Sequence, residues 1–270
     1  MGRIRKRLTP ILPGPANCRT MDPVTIWLLP SETLTLAHGE IHIWRVLLDH
    51  PPVLLGLLST YLSAEEAARA ERFVFTHDKN HFIVRRGMLR VIVGRYLGMP
   101  PRSLLIEKGP YEKPCVSAIS GKPPLHFNLS HSHGLALYAF ALHGRVGIDL
   151  EMLRPEFATR EVAEQFFSPT EQGELFCLPP ESRIQGFFNC WTRKEAYVKA
   201  TGKGLTVPLD SFDVSLTPGC PPTLRVADSD LWSVFSFCPA PGYAAAAIVE
   251  GKGLNSRFYD WDSRGCPSFS

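Results

Sequence analysis

Two carboxylates, Asp149 and Glu151, lie two positions apart in residues 146–151, whose alternating pattern predicts a strand. Alternate side chains of a strand point to the same face, so the two carboxylates would repel each other there. A hard cation relieves that repulsion, and Mg²⁺ usually takes one or two protein carboxylates together with water and phosphate oxygens. The pair therefore indicates a magnesium site, with an ordinary half-solvated strand as the competing interpretation.

A second charged pair, Glu195 and Lys199, lies four positions apart in residues 187–201, which predict a helix ending at Gly202 or Gly204. Residues at this spacing share a helix face. A mainly apolar stripe at spacings of three and four predicts that another face packs on a core: Phe187, Trp191, Lys194 and Val198. If the helix crosses the strand, Glu195 could add a third metal ligand, whereas a solvated ion pair is the simpler alternative.

The composition is that of a globular protein large enough for one extensive core or two halves of ordinary domain size: 270 residues, 44% hydrophobic and 20% charged. A net charge of +3 gives no argument for nucleic acid as a partner. Seven scattered cysteines without a Cys-x-x-Cys motif argue against a disulfide framework or a zinc site and favour the cytoplasm. No apolar run reaches membrane-spanning length, so we expect no membrane partner.

The predicted elements recur in two halves. Residues 63–66 and 168–171 each read as a helix-capping box, with Pro169 at the first helical position of the second. A longer helix carrying basic residues follows each box, at residues 78–97 and 187–201, and strands complete both halves. We therefore predict an α+β protein of two similar α/β subdomains in a pseudo-dimeric arrangement.

The predicted boundary between these subdomains lies near Arg145. It separates an N-terminal subdomain (23–145) from a C-terminal subdomain with the metal site (146–254). Residues 1–22 are expected to be a flexible extension, and the aperiodic residues 255–270 a peripheral tail.

Four motifs, in their order along the chain, resemble the signature of 4′-phosphopantetheinyl transferases of the larger, Sfp-type branch. They are YEKP at 111–114, FNLSHS at 127–132, GIDLE at 147–151 and WTRKEAYVK at 191–199. The first departs from the family's Gly-Lys-Pro turn because Glu112 replaces the glycine. The resemblance covers about residues 40–250, and the chain length matches the pseudo-dimeric branch, which works as a monomer.

The resemblance implies transfer of the 4′-phosphopantetheine arm of coenzyme A to a serine of an apo acyl-carrier or peptidyl-carrier domain. The second product would be 3′,5′-ADP, and Mg²⁺, with Mn²⁺ as an alternative, would be required. Such carriers belong to fatty-acid, polyketide or nonribosomal-peptide synthases, and the sequence does not distinguish among them.

The resemblance also implies residue roles. Asp149, Glu151 and Glu195 would hold the metal, Glu195 alternatively or also taking the proton of the carrier serine. Lys199 would neutralise or protonate the leaving phosphate. The expected coenzyme contacts are Arg69, Lys113, Ser130, His131, Lys194 and Lys199.

Several alternatives stay open at this level. His131 could be a capping or solvated residue, or could form a metal site with His133. Arg85, Arg86 and Arg90 are further phosphate candidates, but they lie on different helix faces and cannot all point into one site. A metal-dependent pyrophosphate hydrolase and a non-catalytic scaffold for carriers or coenzyme A are the competing functions.

Overall fold

The computed structural model describes residues 25–31, 34–109, 114–116 and 124–261. The N-terminal half begins with a strand and three helices: β1 (Glu40–Leu47), α1 (Pro52–Ser59), α2 (Ala64–Ala70) and α3 (Thr76–Leu97). A short hairpin and a long hairpin follow: β2 (Ile106–Lys108), β3 (Pro114–Val116), β4 (His126–Ser132) and β5 (Leu135–Ala141).

The C-terminal half repeats the sequence of strand, short helices and long helix: β6 (Val146–Met152), α4 (Arg160–Phe166), α5 (Pro169–Cys177) and α6 (Pro180–Thr201). Five strands follow along the chain: β7 (Asp213–Val214), β8 (Leu224–Arg225), β9 (Trp232–Phe237), β10 (Tyr243–Glu250) and β11 (Asn255–Asp260). Within the described residues, no helix has the length and apolar character needed to cross a bilayer.

The strands form two main sheets. One has the order β11-β1-β5-β4 and is antiparallel except for the parallel pair β1–β11, and the other is the antiparallel sheet β6-β10-β9. The sheets face each other across a core to which β1 contributes Ile41 and Ile43, and β6 contributes Val146, Ile148 and Leu150. The alternation of β6 therefore directs its apolar side chains into this core and its carboxylates to the opposite face.

Helices cover the outer faces of both sheets. The outer core of the N-terminal half joins α1 and α3 to the far side of β1, β4 and β5, and includes Trp44 and Tyr138. The outer core of the C-terminal half joins α4, α5 and α6 to the far side of β10, and includes Phe187 and Ala246. The predicted α+β class is confirmed, as four layers in the order helix, sheet, sheet, helix.

The two halves share the same helical motif. Both predicted capping boxes are formed, Ser63 with Glu66 before α2 and Ser168 with Glu171 before α5. Each box is followed by a helix of 22 residues. These long helices end at Gly98 and Gly202, whose positive φ values of 60° and 69° a residue with a side chain rarely adopts.

The expected peripheral tail is wrong for residues 255–261. Residues 255–260 form β11, which adds to the sheet of the N-terminal half, and Tyr259 and Trp261 are buried against its core. Arg45 of β1 also pairs with Asp260 at 2.7 Å. A short edge strand with several polar residues carries little periodicity, which is why the pattern did not predict it. Residues 1–22 and 262–270 lie outside the described residues.

Other local differences are smaller. The helices α1 and α4 were not predicted, and α6 begins at Pro180, seven residues before the predicted start at Phe187. The polar residues of the FNLSHS motif lie inside β4, which ends at Ser132. The long helix of the N-terminal half begins two residues earlier than predicted, at Thr76.

Candidate active site

The three carboxylates predicted to bind metal line one cavity. Asp149 and Glu151 reach it from β6, and Glu195 reaches it from α6. The cavity has a volume of ≈ 420 Å³, and its remaining lining residues are Arg85, Leu129, Ser130, His131, Trp191 and Lys199. Because Arg85 and β4 belong to the N-terminal half, the cavity takes residues from both halves of the chain.

Gly147 allows α6 to lie directly on β6. A Cβ atom at this position would be 2.1 Å from the carbonyl oxygen of Ala196 and 2.3 Å from the amide nitrogen of Ala200. Both distances are too short for any side chain, so only glycine permits the helix backbone to approach this closely. The same contact brings Glu195 and Lys199 beside Asp149, which follows Gly147 by two positions in β6.

Polar side chains of β4 hold β6 in place. Asn128 Oδ1 accepts a hydrogen bond from the Ile148 amide at 2.9 Å, Ser130 Oγ donates to Asp149 Oδ1 at 2.9 Å, and Ser132 Oγ donates to Glu151 Oε2 at 2.8 Å. These three residues alternate along β4 and therefore share one face. The motif FNLSHS thus joins the two sheets and fixes both carboxylates of β6.

Lys199 pairs with Asp149. Its Nζ lies 2.6 Å from Asp149 Oδ1 and 3.1 Å from Ser130 Oγ. The four-residue spacing correctly predicted that Lys199 and Glu195 share the face of α6 that borders the cavity. It did not predict that the closest carboxylate to Lys199 would be on the neighbouring strand.

Burial and the charge of Asp149 both disfavour the ionised forms of Glu151 and Glu195. Burial raises the pKa of Glu195, and the charge of Asp149 raises it further, whereas Lys199 lowers it. Burial and Asp149 likewise raise the pKa of Glu151, partly offset by the hydrogen bond from Ser132. Each raised pKa means that the protein environment disfavours the ionised form of that carboxylate.

The donor set suits a hard cation. Asp149 Oδ2 is buried without a hydrogen-bond partner, although Oδ1 of the same carboxylate is bonded by Lys199 and Ser130. A buried oxygen of this kind, beside Glu151 and Glu195 with raised pKa values, favours a ligand with positive charge. The oxygen atoms of Asp149, Glu151 and Glu195 do not all lie within 4.8 Å of one another. Among the described residues, the ligand atoms of Asp49, His77 and His81 do.

Of the arginines predicted for phosphate binding, Arg85 lies in the cavity lining and Arg69, Arg86 and Arg90 do not. Arg85 lines the cavity, where burial and the charges of Arg86 and Arg69 lower its pKa. Arg86 and Arg90 both bind Glu66, at 2.6 Å in each case. Arg69 is exposed, and its guanidinium lies 5.5 Å from the Phe82 ring centre rather than in the cavity lining.

His131 lines the cavity although the residue as a whole is exposed to solvent. Desolvation, followed by the positive charges of Arg85, Lys199 and His81, lowers the pKa of His131 to about 4. The ring is therefore neutral at physiological pH and can donate or accept a hydrogen bond.

Lys194 does not reach this cavity, which corrects its assignment as a coenzyme contact. The side chain is completely buried, and Nζ lies 2.8 Å from Glu171 Oε2. It also donates to the carbonyl oxygens of Leu209 at 2.6 Å and Phe212 at 2.5 Å. Its place in the apolar stripe of α6 was the signal for this orientation: a residue on the packed face points away from the face that carries Glu195.

Lys194 has a counterpart in the other half. Glu66, the capping-box glutamate before α2, is held by Arg90 of α3 just as Glu171 is held by Lys194 of α6. Each long helix thus anchors the buried glutamate that caps a short helix. The lysine of the WTRKEAYVK motif belongs to this shared framework.

Lys113 falls outside the described residues. Trp191 was predicted only as part of the apolar stripe, but it both lines the cavity and packs at 5.2 Å from Phe157, edge to face. Leu129 also lines the cavity but was not predicted as a site residue. A larger cavity of ≈ 610 Å³, near Tyr197 and Phe212, contains none of the predicted site residues.

Comparison with known proteins agrees with this arrangement. Residues 145–248 match the family model of the 4′-phosphopantetheinyl transferase superfamily, and residues 53–142 match the model of the 4′-phosphopantetheinyl transferase N-terminal region. The 4′-phosphopantetheinyl transferase HetI of Nostoc sp. is 40% identical over 87% of this chain and 98% of its own length. The 4′-phosphopantetheinyl transferase Sfp of Bacillus subtilis is 30% identical over 63% of this chain and 73% of its own.

Among solved structures, the holo-[acyl-carrier-protein] synthase of Helicobacter pylori in complex with coenzyme A is 24% identical, with a TM-score of 0.30. That similarity covers 39% of this chain and 99% of the synthase. The near full-length similarity to HetI, together with the two family models, is decisive. The chain belongs to the 4′-phosphopantetheinyl transferase family.

Proposed function

We infer that the protein transfers the 4′-phosphopantetheine arm of coenzyme A to a serine of an apo acyl-carrier or peptidyl-carrier domain. The serine oxygen forms a bond to the phosphorus that carries the pantetheine arm. The bond from that phosphorus to the bridging pyrophosphate oxygen breaks, and 3′,5′-ADP leaves. The serine proton is lost in the same reaction. Convergence of Asp149, Glu151, Glu195, Lys199 and Arg85 on one cavity is the observation that supports this most strongly.

Asp149, Glu151 and Glu195 are the residues that would hold Mg²⁺. When bound, Mg²⁺ neutralises charge on the pyrophosphate oxygens. The unpartnered Oδ2 of Asp149 supports this assignment, as do the raised pKa values of Glu151 and Glu195. Ser130 and Ser132 keep the two carboxylates of β6 in position.

The chain's own side chains account for the remaining chemistry. Glu195 is the proposed acceptor of the serine proton, because a raised pKa makes a carboxylate a better base near neutral pH. Lys199 and Arg85 supply positive charge for the pyrophosphate and the leaving phosphate. Neutral His131 and Ser130 offer hydrogen bonds to the coenzyme at the same wall of the cavity.

The protein is proposed to work as a monomer in the cytoplasm. The monomer is supported by the origin of the cavity residues, since β4 and α3 come from one half of a single chain and β6 and α6 from the other. The cytoplasmic location rests on the sequence alone. Fatty-acid, polyketide and nonribosomal-peptide carriers all remain candidate substrates.

The direct test incubates the protein with coenzyme A, Mg²⁺ and a panel of apo-carrier domains, followed by mass spectrometry of the carriers. We expect at least one carrier to gain the arm on its serine, and Asp149→Ala to abolish the gain while remaining folded. Glu181→Gln, an exposed change at the start of α6, is the matched control and should transfer normally.

Two outcomes would favour the competing functions. Release of free 4′-phosphopantetheine without any carrier would indicate a pyrophosphate hydrolase. Binding of carrier or coenzyme A with no transfer in the presence of Mg²⁺ would indicate a scaffold. Either outcome would contradict the transferase assignment.

A further inference from the structure

A cluster of potential metal ligands lies outside the carboxylate site. Asp49 follows the end of β1, and His77 and His81 lie in the first two turns of α3. One ligand atom from each of the three lies within 4.8 Å of the others. His81 Nε2 and Asp49 Oδ1 are 2.9 Å apart, and the two histidine rings are centred 3.9 Å apart.

This spacing is close to that of a metal site. Zinc binds histidine nitrogen and carboxylate oxygen at about 2.0–2.2 Å, which places neighbouring ligands of a tetrahedral ion roughly 3.4 Å apart. His77 and His81 are separated by four residues, so both side chains leave the same face of α3. His77 and Asp49 are exposed and their ligand atoms lie within 4.8 Å of that of His81, so small side-chain shifts suffice to close the cluster around an ion.

The donor types decide the class of ion. Imidazole nitrogen suits zinc, cobalt, nickel and copper, whereas Mg²⁺ requires oxygen ligands in octahedral geometry. The positive end of the α3 dipole opposes a cation. The carboxylate of Asp49 offsets this opposing effect, and coordination by three protein ligands exceeds it.

We propose that Asp49, His77 and His81 form a binding site for one divalent transition-metal ion of the zinc type, separate from the carboxylate cavity. Nothing in the transfer reaction requires these three residues. An ion there would tie the start of α3 to the end of β1.

The test is titration of tag-free protein with Zn²⁺ by calorimetry, and with Co²⁺ by visible absorption, in excess Mg²⁺ to occupy the carboxylates. We expect one saturable site that Mg²⁺ does not fill. His77→Ala and Asp49→Asn each alter an exposed residue and should weaken Zn²⁺ binding at least about tenfold, since loss of an outer-shell partner already costs that much.

The chain provides a matched control in His38 and His143. Their rings are centred 3.7 Å apart. Among the described residues, however, no carboxylate joins this pair to make a cluster of three potential ligands. The double variant His38→Ala/His143→Ala should retain the Zn²⁺ affinity of the wild type. Absence of saturable binding in excess Mg²⁺, or equal affinity in wild type and His77→Ala, would overturn the proposal without bearing on the transfer assay.

Discussion

At the scale of the residue, Glu195 lies where its charge is costly. Burial and the negative charge of Asp149 raise its pKa, and the attraction of Lys199 only partly offsets them. The proposed catalytic role requires this carboxylate to be there, so stability and activity should oppose each other at this position.

Glu195→Gln is therefore expected to stabilise the fold by about 0.5–2 kcal/mol at neutral pH. The folded protein binds the Glu195 proton more tightly than the unfolded chain does. Ionised Glu195 therefore destabilises the wild-type fold. This destabilisation is absent at pH values below the ordinary glutamate pKa and is complete at pH values above the raised pKa of the folded protein. Thermal unfolding at several pH values measures this, and an advantage of the variant that grows towards acid pH would contradict it.

Lys199 is expected to act on turnover more than on coenzyme binding. Its ammonium is near Asp149 and Ser130, and negative charge on the leaving phosphate increases as the bond breaks. We expect Lys199→Ala to lower kcat about 100-fold while KM for coenzyme A changes much less. Lys203→Ala, an exposed change just beyond α6, is the control. A raised KM with normal kcat would make Lys199 a binding residue only.

At the scale of the element, the contact between β6 and α6 positions the carboxylates. Gly147→Ala places a methyl group against the backbone of Ala196 and Ala200 and should displace the helix. We expect a loss of about 1–3 kcal/mol in stability and a large loss of transfer, because a displacement of about 1 Å can cost about 100-fold in rate.

Gly173→Ala is the matched control for this displacement. Gly173 lies inside α5 with nothing within 4 Å of an added Cβ, so alanine should leave activity unchanged and raise helix stability slightly. Urea unfolding and the carrier assay compare the two variants. Equal behaviour of Gly147→Ala and Gly173→Ala would show that the close approach of α6 is unimportant.

The buried pair of Lys194 and Glu171 should matter for folding. Lys194→Met removes the only positive charge shown bound to Glu171 among the described residues and should cost about 3–5 kcal/mol. Adding Glu171→Gln removes the uncompensated charge and should restore part of that stability. Urea unfolding measures both variants, and the folded fraction of each should keep the wild-type KM for coenzyme A. A raised KM without destabilisation would restore Lys194 as a coenzyme contact.

At the scale of the whole molecule, the cavity lies at the junction of two similar halves, and only one half supplies the carboxylates. Both halves contain the capped short helix and the 22-residue helix that anchors its glutamate. The two halves therefore share a helical framework and differ in the residues that they contribute to the cavity.

Local patterns predicted the elements that depend on neighbouring residues. Both capping boxes, the end of α6 at Gly202 and the alternation of β6 are properties of short segments, and all are found in the structure. Long-range contacts were not predictable in this way. The pairing of Lys199 with Asp149 joins residues 50 positions apart, and β11 pairs with β1 from the opposite end of the chain. No periodicity within one segment reports such a partner.

The transfer reaction of Glu195→Gln tests the central claim most directly. Wild type, Glu195→Gln and Glu181→Gln are compared at equal folded concentration, with coenzyme A, Mg²⁺ and an apo-carrier that the wild type modifies. Mass spectrometry measures the fraction of carrier that has gained the arm. We expect modification by wild type and Glu181→Gln and none by the folded Glu195→Gln variant. Modification by Glu195→Gln at the wild-type rate would contradict this claim.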